Sequence, residues 1–243
     1  MATFVLVHGA WQGGWTWNRV APLLRATGHE VHTPTLTGVG DRAHLISPLV
    51  GLDTHVQDVV ATIRNERLSD VVLVGHSYAG QVIAGVASAL PSALAQLVYL
   101  DAFVPNDGES ATEQQPETIA HHYQESVQER GFGWLLPTRQ LEVLGVTDPG
   151  DVEWLTALMV PHPYKGFNDP VKVTPAALAL PSSFIESVDW LRVFRSSRER
   201  AAARGWPAHE LHTGHQSMQT APRELAELLN QIAIGDPRLV QSR

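Results

Sequence analysis

The sequence predicts an α/β fold: a doubly wound, mostly parallel sheet of about six strands, with a helical cap inserted at 104–180 before the last two strands. Three observations predict it. Short apolar runs alternate with helical stretches of about 10–15 residues, the order that builds a parallel sheet through right-handed crossovers. That alternation breaks after residue 104 and resumes at 183. The length of 243 residues suits a single domain over 1–243, with a core large enough to need no disulfide or metal staple.

In chain order, Phe4–His8 is a short apolar run and reads as a buried strand. Trp15–Ala26 has helical spacing at Trp17, Val20, Leu23 and Leu24, and stops at Gly28. Glu30–Thr33 is a short strand closed by Pro34. Leu52–Leu68 puts Val56, Val59, Val60 and Ile63 on one helical face, with Asp53 near its positive end. Val71–His76 is the clearest strand, apolar on both faces. Ala79–Leu90 is small and apolar nearly all round, as suits a helix buried against a sheet, and Leu97–Leu100 is the next strand. The cap holds two expected helices, Thr112–Arg130 and Asp151–Met159, among many prolines. A strand at Ser183–Ser187, a helix at Leu191–Ala203, a strand at Ala208–His212 and a helix at Pro222–Ile234 complete the chain, with Pro222 in a first-turn position. No segment repeats and none is low-complexity.

Composition narrows the function. Hydrophobic residues make up 44% and charged residues 17%, the balance of an ordinary globular protein. With no cysteine, thiol nucleophiles, iron–sulfur clusters and thiolate zinc sites are excluded, and a reducing compartment is expected. A net charge of −8, with Lys165 and Lys172 the sole lysines, speaks against nucleic acid as a partner. No apolar run approaches the roughly 20 residues of a membrane span, and Met1–Gly9 lacks a signal peptide's cationic start, so a cytoplasmic protein without membrane partners is expected.

The strongest chemical signal is Gly75-His76-Ser77-Tyr78-Ala79-Gly80, between a buried strand and a small-residue helix. A serine there occupies a strained strand-to-helix turn that lifts its hydroxyl above the sheet. Ala79 stands where the usual pattern has glycine. Serine needs a base, and folds of this design carry it on the loop after the last strand. His212-Thr213-Gly214-His215 lies there; His215 is the expected base, and His212 ends the strand. The pair could also be read as a His-x-x-His metal site, which is set aside here. The loop His8-Gly9-Ala10-Trp11-Gln12-Gly13-Gly14 follows the first strand. The backbone N–H groups of Ala10 and Tyr78 are therefore expected to form an oxyanion hole, with His8 orienting the loop.

Val7-His8-Gly9-Ala10-Trp11, Gly75-His76-Ser77-Tyr78 and Thr213-Gly214-His215 resemble the plant methylesterase and hydroxynitrile lyase family and its bacterial esterase relatives, over nearly the whole chain. The resemblance implies an α/β-hydrolase core, no cofactor, and esters of small, often aromatic, acids as substrates. Lyases of that family carry a lysine directly after the catalytic histidine and a threonine at the position of Gly9. Gln216 and Gly9 therefore favour ester hydrolysis. The plant enzymes take the triad acid from the loop after the strand matching Ser183–Ser187, which points to Asp189, but that loop is about three residues shorter here. Asp101, at the end of the preceding strand, is the alternative and is preferred on strand-end placement. Glu186, inside a strand, ranks below both. Trp11, Phe103, Trp134, Trp154 and Met159 are the expected lining of an apolar substrate pocket. A cofactor-free lyase or dioxygenase, or a ligand-binding homologue without catalysis, are the competing functions. A homodimer through the cap is the expected assembly, if any.

Overall fold

The computed structural model describes residues 1–235. In chain order these form β1 (Thr3–Val7), α1 (Ala21–Ala26), β2 (Glu30–His32), α2 (Leu52–Asn65), β3 (Val71–His76), α3 (Ala79–Ala89) and β4 (Leu94–Leu100). A long segment follows, holding α4 (Ala111–Gln114), α5 (Glu117–Arg130), β5 (Leu135–Leu136), α6 (Pro149–Leu158), β6 (His162–Pro163), α7 (Lys165–Asn168) and α8 (Pro175–Leu178). The chain then returns through β7 (Ser182–Ser187), α9 (Arg195–Ala203), β8 (Ala208–Leu211), α10 (Ser217–Thr220) and α11 (Pro222–Ala233).

Six strands make one sheet in the order β2-β1-β3-β4-β7-β8, and every pairing in it is parallel. The period of two in a strand divides its side chains between two cores. Phe4, Leu6, Val72, Val74, Val98, Leu100 and Ile185 meet α1 and α11. Val5, Val7, Leu73, Leu97, Tyr99 and Phe184 meet α2, α3 and α9 on the other face. These strands are covered on both sides, which is why they read as unbroken apolar runs. Burying such a side chain fully contributes about 1.5–3 kcal/mol.

Three boundaries differ from the sequence reading. The helix expected over 15–26 is a 3₁₀ turn, Gly14–Trp17, followed by α1. The helix expected over 112–130 divides at Pro116, which lacks the N–H to continue α4 and instead leads into α5. The helix expected from Leu191 starts only at Arg195, after Arg192 takes a left-handed φ of 48°. The antiparallel pair β5–β6 was not expected, since two residues carry no readable period. Among the described residues no helix is long and apolar enough to cross a membrane.

Because β2 lies on one side of β1 and β3 on the other, the chain reverses its winding direction between β1 and β3. Ligands of open parallel sheets settle outside the strand ends at such a point. The turns leaving β1 and β3 meet there.

Candidate active site

Each of the three neighbouring strands β1, β3 and β4 is followed by a residue in the left-handed region: Trp11 (φ 67°), Ser77 (φ 56°) and Asp101 (φ 43°). Such backbone strain costs on the order of 1–2 kcal/mol at a non-glycine residue, and it clusters at functional sites. Around Ser77 the packing explains the small neighbours. A Cβ on Gly75 would lie 2.7 Å from the Ala79 carbonyl oxygen, and one on Gly80 would lie 2.0 Å from that of Phe103. Gly80 therefore supplies close approach within the same turn, while Ala79 opens α3. The Ser77 N–H donates to the Leu100 carbonyl, and Phe103 N–H donates to the Ser77 carbonyl, so the turn is tied to the end of β4.

The loop after β1 is pressed against this turn. A Cβ at Gly9 would meet Ser77 Cβ at 3.0 Å and His76 Nδ1 at 2.9 Å. His8 accepts the Leu36 N–H at Nε2 (3.0 Å), so its Nδ1 carries the proton and donates to the Gly9 carbonyl (2.8 Å). Burial pushes the His8 pKa down to about 4 and keeps this pairing neutral. Among the described residues, neither the Ala10 N–H nor the Tyr78 N–H donates to another protein group. The Trp11 indole donates to the Leu136 carbonyl (3.1 Å), and the Trp11 carbonyl accepts Val160 N–H, which binds the loop to the inserted segment.

His215 Nδ1 lies 2.8 Å from Asp101 Oδ2, and both side chains are buried. An N–H at Nδ1 donates to that carboxylate, leaving Nε2 free as an acceptor. Burial lowers the His215 pKa, and the Arg139 cation acts in the same direction. Burial raises that of Asp101, opposed by the Ser187 amide, the Trp190 indole and Arg192. Asp189 is elsewhere: half exposed, it stands 3.5 Å from His212. Glu186 is ion-paired with Arg198 at 2.7 Å and Arg192 at 3.6 Å.

Three positioning groups escaped the sequence reading. His76 Nε2 donates to the His215 carbonyl at 3.0 Å, with the two rings 4.4 Å apart. Trp190 stacks on the His215 ring at 4.4 Å. Gly145, in the inserted segment, touches the His215 loop so closely that a Cβ there would meet Gly214 Cα at 2.6 Å. The Gly-His-Ser spacing offered a signal for His76. Nothing local announced the other two.

Ser77 and His215 open into one narrow cavity, although among the described residues the serine hydroxyl has no hydrogen bond to His215. Ala10, Trp11 and Phe103 line it, joined by Tyr123, Arg139, Phe167 and Phe194. Trp134, Trp154 and Met159 do not. Trp154 is held edge-on against Trp15, with the Arg19 guanidinium 5.3 Å from its ring. Met159 packs beside Leu141, Leu144 and Leu155. Trp134 sits in the turn after α5, where its carbonyl accepts Tyr164 N–H. The Tyr78 side chain points into the core instead, donating to His55 Nδ1 (2.9 Å), whose Nε2–H donates to the Thr37 carbonyl (3.0 Å).

Residues 4–228 match the model of a family described as "Alpha/beta hydrolase family". The chain belongs to the alpha/beta hydrolase family. A carbendazim hydrolyzing esterase from Nocardioides sp. (strain SG-4G) is 37% identical to this hydrolase over 242 residues, 94% of this chain and 98% of the relative. Methylesterase 2 of Arabidopsis thaliana is 30% identical over 151 residues, covering 60% of this chain and 53% of its own. Among solved structures, an extracellular alpha/beta-hydrolase from a Paenibacillus species superimposes with a TM-score of 0.84 at 24% identity, over 96% of this hydrolase and 99% of that chain. That likeness is one of fold.

Proposed function

We propose that this hydrolase is a serine carboxylesterase acting on small ester-type substrates, with Ser77 as nucleophile, His215 as general base and Asp101 as the triad acid. The observation that carries the reading is the buried 2.8 Å contact between Asp101 and His215, on a histidine that shares its cavity with Ser77. Asp101 fixes the tautomer that leaves Nε2 facing the serine side of the ring. Ser77 Oγ attacks the ester carbonyl as Nε2 takes its proton. The oxyanion rests on the Ala10 and Tyr78 amides, whose N–H groups have no competing partner among the described residues. The carbon–alkoxide bond then breaks, and the alcohol leaves with the proton from His215. Water, activated by the same nitrogen, attacks the acyl-enzyme and releases the acid and free Ser77.

In this reading residues 104–180 act as a cap, supported by Tyr123, Arg139 and Phe167 in the cavity wall. A cytoplasmic location belongs to the same reading, and the cysteine-free composition favours it.

Hydrolysis of p-nitrophenyl acetate and butyrate by the wild type, Ser77→Ala, Asp101→Asn and Asp189→Asn tests the assignment. Ser77→Ala is expected to lose on the order of 10³-fold or more in kcat, and Asp101→Asn a comparable amount. Asp189→Asn is expected to stay within about twofold, the level of a surface change away from the site. A Ser77→Ala protein as active as the wild type sinks the acyl-enzyme reading, and a loss confined to Asp189→Asn reassigns the acid.

A further inference from the structure

The cavity wall is largely aromatic and aliphatic, with Gln115 and the cation Arg139 as its polar side chains beside Ser77 and His215. Arg139, on the stretch after β5, lines it together with Ser77 and His215. The same residue lines an outer groove beside Arg130 and His122, with no carboxylate in that wall. In a chain of net charge −8, this mouth is cationic. Its guanidinium lies over the Tyr123 ring at 5.3 Å, which fixes its direction without neutralising it. Arg19, Arg42 and Arg200 are paired with Asp151, Asp58 and Glu109. Arg139 has no carboxylate partner among the described residues.

A half-buried cation in that position works against the reaction unless something offsets it. His215 must become an imidazolium as it accepts the serine proton, and a neighbouring positive charge disfavours that form. A substrate that brings its own negative charge to Arg139 removes the penalty and gains a charge-assisted, forked hydrogen bond. The remaining wall, with Trp11, Tyr123, Phe167 and Phe194, suits an apolar or aromatic body.

We infer that Arg139 binds an anionic group of the substrate, so that the preferred ester is the monoester of an apolar or aromatic dicarboxylic acid, its free carboxylate held on Arg139 while its ester carbonyl meets Ser77. This rests on the esterase reading, and its test separates the two. Arg139 then selects between substrates, and the cationic groove outside it draws the same class toward the cavity.

The experiment compares kcat/KM for two matched pairs: monomethyl terephthalate against methyl 4-methylbenzoate, and monomethyl adipate against methyl hexanoate. Wild type, Arg139→Gln and Arg139→Lys are measured on both, with p-nitrophenyl butyrate as a neutral control. The wild type is expected to favour the anionic member of at least one pair by about tenfold or more. Arg139→Gln should reduce that ratio by about tenfold, and Arg139→Lys should keep part of it, since it retains charge without the fork. No preference in either pair, or a preference unchanged in Arg139→Gln, overturns the inference while turnover of the control keeps the esterase reading. If no ester is turned over, the esterase reading fails by itself. Calorimetric titration of monomethyl terephthalate and monomethyl adipate into Ser77→Ala and Ser77→Ala/Arg139→Gln then decides the role of Arg139. Binding weakened about tenfold by Arg139→Gln sustains it, and equal or absent binding overturns it.

Discussion

His215 shows what one buried contact does to a residue's chemistry. Desolvation and the Arg139 cation both disfavour its charged form, while Asp101 at 2.8 Å favours it, the His76 ring lies tilted against it and Trp190 stacks on it. The balance lies below the ordinary imidazole value of 6.5, so the free base persists as pH falls past that point. The acidic limb of kcat/KM on p-nitrophenyl butyrate is therefore expected below pH 6.5. A limb centred at or above that value contradicts the burial argument. At this scale the sequence was informative where function is local. Ser77 is legible because the turn that strains it is written by its neighbours, and His215 because a glycine and a strand end precede it. Asp101 and Asp189 were both candidates, because the strand ends that separate them meet His215 only in three dimensions. Arg139 and Trp190 are invisible for the same reason, and aromatic residues of the insertion such as Trp154 carry no mark of which wall they face.

Among the elements, those with a covered face were readable and those set by a single backbone torsion were not. β3 and α3 follow from apolar runs that only a buried strand or helix tolerates, and their observed bounds, Val71–His76 and Ala79–Ala89, lie close to the expected ones. The division between α4 and α5 was also written, in Pro116, but the helical spacing around it outweighed the proline. The late start of α9 depends on the φ of Arg192, which has no sequence signature. The insertion and the His215 loop touch backbone to backbone at Gly145 and Gly214. Gly145 itself has φ 78°, so Gly145→Ala meets both torsional strain and a contact at 2.6 Å. It is expected to cost roughly 1–3 kcal/mol in urea unfolding and to lower kcat by shifting His215. An unchanged midpoint together with unchanged kcat excludes this coupling.

At the scale of the whole molecule, burial lowers the pKa of His8, His55, His76, His162 and His215. Among the described residues His162 has no partner for either ring nitrogen, and it rests among Tyr78, His55 and Phe167. Protons therefore bind the unfolded chain first. For His8 and His55, pushed down to about 4, the stabilisation is complete above pH 6.5 and drains away as pH falls through 4. Each accounts for about 3 kcal/mol over that window, while the raised carboxyls of Asp101 and Glu186 push the other way. The urea midpoint is expected to drop clearly between pH 7 and pH 4.5, and a flat profile would falsify the dominance of these histidines. The left-handed residues at the exits of β1, β3 and β4 have a different consequence, for how the sequence can drift. Glycine would relax the backbone at 11, 77 and 101 by roughly 1 kcal/mol apiece, and at 101 it would also remove a buried carboxyl. A library screened for thermal survival alone should therefore accumulate glycine at those positions, and a library screened for turnover should lose it. Survival as a folded object and persistence as a catalyst pull these three codons in opposite directions.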